Sequence, residues 1–394
     1  MIGRAYVHKV PMGHWGKKLT RRIDFFLLAL VLIFAAIGLL TLYSAADVFV
    51  SRFDAQVKNW IFGLTVMLVA AHIKPTYLKH LAVPVYCLSI ILLLGVEFFG
   101  ETRKGATRWL NLGVLSIQPS ELMKFAVPMM LAWWFHQRQQ LNVVANFLVG
   151  IVLLLIPVVL ILWQPDLGTA LLVLFSGFVV IFFAGLSWKL IIPPALFLVV
   201  FLALLLANQD TWCSPGYDWY FLHDYQVKRV CTLLNPEADS QGGGYHILHS
   251  TIAIGSGGLT GKGFLQGTQA HLFFIPESTT DFIFAVYAEE FGLLGNGILM
   301  LFYLCLIWKG LYIAARAVTE FSRLLACGIT LIFFICVFVN LGMVSGILPV
   351  VGVPLPFISY GGTAMVSFCT SVGILMSIAS ETKMEENERK RHYY

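Results

Sequence analysis

The chain has 394 residues, of which 58% are hydrophobic and 12% charged, against roughly 25% charged in soluble globular domains. A soluble protein of this size would need amphipathic outer helices facing water, and the sequence supplies almost none, so it reads as an integral membrane protein. The formal net charge of +5 follows from an uneven placement of basic residues about a membrane and implies no nucleic-acid partner.

Apolar runs near the ~20 residues that span a bilayer recur about ten times. They fall near 23–44, 57–73, 78–99, 117–135, 143–163, 167–187, 189–208, 282–308, 321–345 and 357–380. The first is long and lacks a following small-residue cleavage site, so it is expected to remain as an anchor. The pattern predicts a single all-α membrane domain over residues 1–394. Its one large external loop, 209–280, lies between the seventh and eighth helices. A cytoplasmic N-terminus places Arg4, Lys9, Lys17, Lys18, Arg21, Arg22, Lys74, Lys79, Arg138, Lys189, Lys309, Arg316 and Arg323 inside, together with a basic tail over 381–394. That is the bias expected of cytoplasmic segments.

The external stretch ETRKGATRWLNLGVLSIQPSELMKF runs against this bias, with Arg103, Lys104 and Arg108 outside, and so predicts a negative partner. Gln118, Ser120, Glu121 and Lys124 then enter the membrane on one helix, with Glu121 and Lys124 three apart, as an ion pair requires. Two readings stay open: a structural pair between helices, or the floor of an anion-binding cavity that opens outward. In WQPDLGTA, Asp166 precedes the sixth helical run, where it suits either an N-cap or a substrate contact.

The long loop begins with aromatic and polar residues. Trp212, Tyr217, Trp219 and Tyr220 suit a membrane interface, and short surface helices and turns are expected there. Five of the seven cysteines lie in apolar segments as small hydrophobes. Cys213 and Cys231 share the external loop and form a possible disulfide, closing a loop worth ~3 kcal/mol in chain entropy.

Further on, GSGGLTGKG departs from a nucleotide P-loop at Ser256 and Gly263, which leaves Lys262 as a flexible contact for a phosphate. His246, His249 and His271 lack zinc-site spacing, so no metal site is assigned. A divalent ion held on a substrate's phosphates stays open. Beyond the loop, LPVVGVPLPFISYGGTAM carries Pro349, Pro354, Pro356, Gly361 and Gly362. Backbone broken in this way must be buried in protein or line a wet cavity, and a cavity wall is expected. No internal repeat is visible, which weighs against a transporter built on inverted repeats.

Asp281 stands where polar loop turns into membrane helix, a costly place for a carboxylate that does not bind or react. Glu277, Glu289 and Glu290 are nearby in sequence. A helix would separate Asp281 from Glu289 by ~12 Å, beyond the ~5–9.5 Å of glycosidase carboxylate pairs. One base and several cations suit another reaction, in which an alcohol attacks a sugar whose leaving group is a pyrophosphate.

Five segments make the chain resemble the shape, elongation, division and sporulation glycosyltransferases over nearly its whole length. They are RWLNLGVLSIQPSELMKF, WQPDLGTA, LHDYQVKRVCTLLNPEAD, GKGFLQGTQAHLFFIPESTTDFIFAVYAEEFGLLG and NLGMVSGILPVVGVPLPFISYGGTAMV. PVVGVPLPFISYGGTAM and GFLQGTQ are nearer the family's rod-shape branch than its division branch. The resemblance implies a ten-helix enzyme of the bacterial cytoplasmic membrane, both termini cytoplasmic. It would polymerise lipid II into glycan strands at the outer face during cell elongation. A class B penicillin-binding protein, a transpeptidase, and the elongation machinery are the implied partners.

By motif, the family's essential aspartate falls on Asp281 and its important Trp and Glu on Trp109 and Glu121. Family members often carry a basic residue and a histidine where this chain has Ser278 and Thr279, and an aspartate where it has Phe273. Asp281 is thus expected as general base, with Arg108, Lys124 and Lys262 balancing the pyrophosphate and Trp109 against a sugar or lipid. The rival readings are a lipid II flippase, which would need access from both leaflets, and a non-catalytic scaffold, against which the intact motif speaks.

Overall fold

Lipid cannot satisfy backbone N–H and C=O groups, so the apolar runs close their hydrogen bonds internally as helices. The computed structural model describes residues 22–46, 50–103, 106–111, 113, 116–137, 143–213, 224–235, 242–272, 274–275 and 277–392. Its long helices are α1 (Phe25–Ala45), α2 (Val50–His72), α3 (Pro75–Phe99), α4 (Pro119–Gln137), α5 (Val143–Trp163), α6 (Leu167–Phe183) and α7 (Trp188–Ala207). After the long loop come α12 (Ile283–Arg316), α13 (Glu320–Val344) and α14 (Gly362–His392), making ten long helices among the described residues. Six of the ten, α1, α3, α5, α12, α13 and α14, are long and apolar enough to cross a membrane.

Three features depart from the expected elements. Helix α2 starts at Val50, well before the apolar run, because Arg52, Gln56 and Asn59 occupy a polar stripe that faces protein. The last helix starts at Gly362 and continues through the 381–394 tail to His392, leaving 345–361 irregular where a span from 357 was expected. The all-α expectation also missed a small antiparallel sheet, ordered β1 (Glu101–Arg103), β2 (Ala106–Asn111) and β3 (Ser116–Ile117). Thr102 and Thr107 are partners in its β1–β2 register, and such β-branched residues favour a pleated surface.

Within the loop, the short α8 (Gln209–Trp212) is tied to α9 (Asp224–Leu234) by a Cys213–Cys231 disulfide with a Cα–Cα separation of 5.6 Å. Tyr217, Trp219, Tyr220, Lys104 and Phe273 lie outside the described residues. Helix α10 (Gly243–Ser256) is more than a surface helix. It buries Ile247, Ser250 and Ala253, and Ser250 Oγ donates to Val344 O at 2.8 Å. A last short helix, α11 (Thr268–His271), precedes the Asp281 segment.

The glycines of GSGGLTGKG splice a broken helix. At Gly292 (φ 63°, ψ −162°) the α12 backbone leaves helical geometry, so Leu293 and Leu294 cannot donate to the carbonyls of Glu289 and Glu290 in the i→i−4 pattern. The loop takes both halves of the lost pairs. Lys262 N and Gly263 N donate to Glu289 O and Glu290 O, each at 3.0 Å, while Leu293 N and Leu294 N donate to Gly258 O and Leu259 O at 2.9 and 3.0 Å. At Gly261 (φ +80°) a Cβ would stand 2.0 Å from Glu290 O. No other residue type fits that crossing.

At the opposite end of the bundle, Asp24 caps α1 and pairs with Lys309 at 3.0 Å and Lys383 at 3.4 Å. One carboxylate thereby joins the start of α1 to the far parts of α12 and α14.

Candidate functional site

Asp281 sits one residue before Phe282, the N-cap position of α12, in the turn formed by 277–282. Its backbone carbonyl accepts from Asn340 Nδ2 of α13 at 2.9 Å. Its carboxylate lies against Gly352, where a Cβ would stand 3.4 Å from Asp281 Oδ2. The Pro-rich segment 345–361, in extended and turn conformations, thus lies against the Asp281 carboxylate at Gly352.

That segment is anchored by a strained residue. Phe357 adopts φ +66°, uncommon for a side chain of its size and found where surrounding structure over-determines the backbone. Its ring lies among Phe34, Trp60, Phe333 and Phe368, with centroids 5.7–5.9 Å away. Next to it, Tyr303 OH donates to Pro356 O at 2.6 Å. Burial of the aromatic cluster holds a conformation the backbone would not choose alone.

A second cluster lies across the same segment. Arg108 on β2 pairs with Asp166 at 3.6 Å and donates to the carbonyls of Gln164 and Pro165. Asp166 also accepts from Gln118 Nε2 at 2.9 Å and Ser120 Oγ at 3.3 Å. As N-cap of α6 it accepts from Thr169 N. Two residues on, a Cβ at Gly168 would stand 2.5 Å from Val351 O. The helix that Asp166 caps and the Asp281 carboxylate therefore meet adjacent residues of this segment, Val351 and Gly352.

One turn into the membrane, Lys124 pairs with Glu121 at 2.7 Å, and both side chains are buried. Lys124 Nζ also lies 5.3 Å from the centre of the Phe368 ring, so this pair adjoins the aromatic cage of Phe357. Burying it is tolerable only because each charge meets the other. Trp109 follows Arg108 on β2, and strand alternation turns it to the opposite face. Lys262 is not part of these clusters. It pairs with the buried Glu289 at 2.6 Å, and Glu289 also accepts from Thr268 N and Oγ1 at 2.8 and 2.9 Å. The three cations expected to meet a pyrophosphate thus each carry a carboxylate partner from the chain itself.

Sequence reasoning passed over a further cation. Arg52 Nη1 on α2 donates to Thr279 Oγ1 at 2.7 Å, two residues before Asp281. One and two turns along, Gln56 accepts from Gly361 N and Asn59 Nδ2, each at 3.3 Å, and donates to Ser359 O at the same distance. The signal was present as polar residues at 52, 56 and 59, the spacing of one helix face. Among the described residues no three His, Cys, Asp or Glu side chains gather as a metal site. An apolar cavity of about 1000 Å³ opens between α5, α6 and α13, with Phe147, Phe175, Ile335 and Val339 in its lining and, among the described residues, no titratable group.

The chain belongs to the FtsW/RodA/SpoVE family of cell cycle proteins, which it matches over residues 21–384. It is 46% identical to peptidoglycan glycosyltransferase MrdB of Escherichia coli K12, over 92% of this chain and 95% of that protein. It is 32% identical to stage V sporulation protein E of Bacillus subtilis, covering 90% and 96% of the two chains. Among solved structures, it resembles a chain from a peptidoglycan synthase complex that coordinates polymerization and crosslinking, with a TM-score of 0.74 and 32% identity over 91% and 98% of the two chains. The Thermus thermophilus rod shape determining protein RodA matches with a TM-score of 0.65 and 28% identity over 90% and 96%.

Proposed function

We propose that the chain is a peptidoglycan glycosyltransferase that polymerises lipid II at the outer face of the bacterial cytoplasmic membrane during cell elongation. The observation that carries this reading is the placement of Asp281. A carboxylate stands at a loop–helix junction beside Gly352, with Arg52 bonded to Thr279 in the same turn and the helix that Asp166 caps against the neighbouring Val351. Asp281 takes the proton from the acceptor sugar hydroxyl as its oxygen attacks the anomeric carbon. The bond to the undecaprenyl pyrophosphate breaks, and configuration inverts.

A pyrophosphate leaving group needs positive charge more than it needs a proton. Arg52, bonded to the Asp281 turn, joins Arg108, Lys124 and Lys262, each held by a carboxylate of the chain, as the cations to supply it. Trp109 offers a ring to a sugar or to the edge of the lipid. A divalent cation on the pyrophosphate would add to that charge; among the described residues no cluster of three His, Cys, Asp or Glu would hold one. The partner is a class B penicillin-binding protein, whose transpeptidation would act on the strand this site makes.

Purified protein incubated with lipid II in detergent, with and without its partner, should yield glycan polymer, more of it in the complex. Asp281→Asn should lower the rate ~10²–10⁴-fold, the usual cost of losing a general base, while insertion, lipid II binding and partner binding persist. Polymerisation by Asp281→Asn at the parent rate would remove the base assignment. Translocation of lipid II in vesicles by both forms, with polymer from neither, would make the chain a flippase.

A further inference from the structure

Three successive carbonyls precede α12, and each accepts a hydrogen bond from outside its own segment. Thr279 O accepts from Tyr360 N at 2.9 Å, Thr280 O from Ser359 Oγ at 2.7 Å and Asp281 O from Asn340 Nδ2 at 2.9 Å. The donors belong to α13 and to the ISYGG turn that leads into α14, so two distant parts of the chain meet on the main chain of Asp281.

Each donor is itself fixed. Both hydrogens of the Asn340 amide are used, the second on Val353 O at 2.8 Å. Because both partners are carbonyl oxygens, the nitrogen must face them, and the amide cannot turn over without losing both bonds. Ser359 Oγ accepts from Leu355 N at 2.8 Å while it donates to Thr280 O, so its hydroxyl proton has one direction. Gln56 holds the same turn at Ser359 O and Gly361 N.

Asn340 is fully buried in an apolar helix. A leucine there would cost nothing to place in a membrane but could make neither bond, whereas an amide is expensive and marks function. We propose that Asn340 and Ser359 are positioning residues that fix the backbone of Asp281, leaving only side-chain rotation between the carboxylate and the acceptor hydroxyl. The inference rests on the reading of Asp281 as the base. Neither residue touches substrate; both act through Asp281.

The test compares Asn340→Leu, Ser359→Ala, Ser359→Thr and Asp281→Asn in one lipid II polymerisation assay, with kcat, KM and thermal midpoint measured for each. Misplacing a reacting group by about 1 Å costs up to ~10²-fold. Asn340→Leu and Ser359→Ala should therefore lower kcat about 10–100-fold with KM for lipid II near the parent value, while the midpoint falls modestly because buried carbonyls lose a donor. Ser359→Thr keeps the hydroxyl and should recover most of the rate.

Parent kcat in both Asn340→Leu and Ser359→Ala beside an inactive Asp281→Asn overturns the positioning role and leaves the base assignment standing. A raised KM at unchanged kcat overturns it too, since that marks a contact with bound substrate. Parent activity in Asp281→Asn removes the base and this inference together. If Asn340→Leu does not insert, the two Ser359 variants decide: loss in alanine with recovery in threonine supports the role, and equal rates in both refute it.

Discussion

Replacing Gly261 by alanine adds one methyl group where the Gly-rich loop crosses the break in α12. The new carbon would lie 2.0 Å from Glu290 O and 2.6 Å from Phe291 N, both backbone atoms that cannot rotate aside. Holding a non-glycine residue at φ +80° costs about 1–2 kcal/mol. The loop must also lift, which removes the bonds from Lys262 N and Gly263 N to the α12 carbonyls, at about 1 kcal/mol net each. The total is about 3–4 kcal/mol.

Gly297, in the same helix, is exposed with no atom within 4 Å of an added Cβ. Alanine there should stabilise by about 0.4–1 kcal/mol by restricting the unfolded chain. One chemical change thus carries opposite signs five residues beyond the break and within the loop that bridges it. The assay is the fraction of each purified variant that stays monodisperse after heating in a fixed detergent. A Gly261→Ala midpoint at or above the parent's would refute the splice as a stabilising element. A Gly297→Ala midpoint as low as that of Gly261→Ala would show that the assay reads glycine loss in general.

Two other outcomes follow from the geometry. In right-side-out membrane vesicles, Cys213 and Cys231 should resist a membrane-impermeant maleimide until an impermeant reductant is added; labelling that needs lysis would place the 209–280 loop inside. Burial alone would raise the Asp24 pKa, but hydrogen bonding and charge from Lys309, then Lys383, hold it below 3.8. A depressed carboxylate contributes stability above its unfolded pKa and loses it as pH falls through the folded value. The midpoint gap between parent and Asp24→Asn should therefore be full near neutral pH and close below about pH 4. Asparagine keeps the N-cap acceptor, so a gap that persists at low pH would refute the charge of Asp24 as its cause.

Much of this protein was open to reading from composition and motif. Long apolar runs must become helices because lipid leaves backbone groups no alternative, and the observed long helices lie close to those runs. The candidate base was legible because a carboxylate at a membrane boundary is costly wherever it occurs. The Glu121–Lys124 pair was legible from helical spacing. Residues Asn340 and Ser359 were not: each looks like an isolated polar residue until the partner carbonyls, far away in sequence, arrive beside it. The same holds for GSGGLTGKG, whose glycines resemble a phosphate cradle in one dimension and prove to be a backbone splice in three.

The chain's order of residues by itself determined its class, its long helices and the position of one candidate carboxylate, because each follows from local hydropathy, spacing and the cost of burying charge. Only the tertiary structure decided what surrounds that carboxylate. Hydrogen bonds such as Asn340 to Asp281 and Gln56 to Ser359 join residues 59 and 303 positions apart, and such pairings depend on how helices pack rather than on any local propensity. Packing also paired Arg108 and Lys262 with Asp166 and Glu289, since a charge drawn into a low-dielectric bundle is stable only beside its opposite.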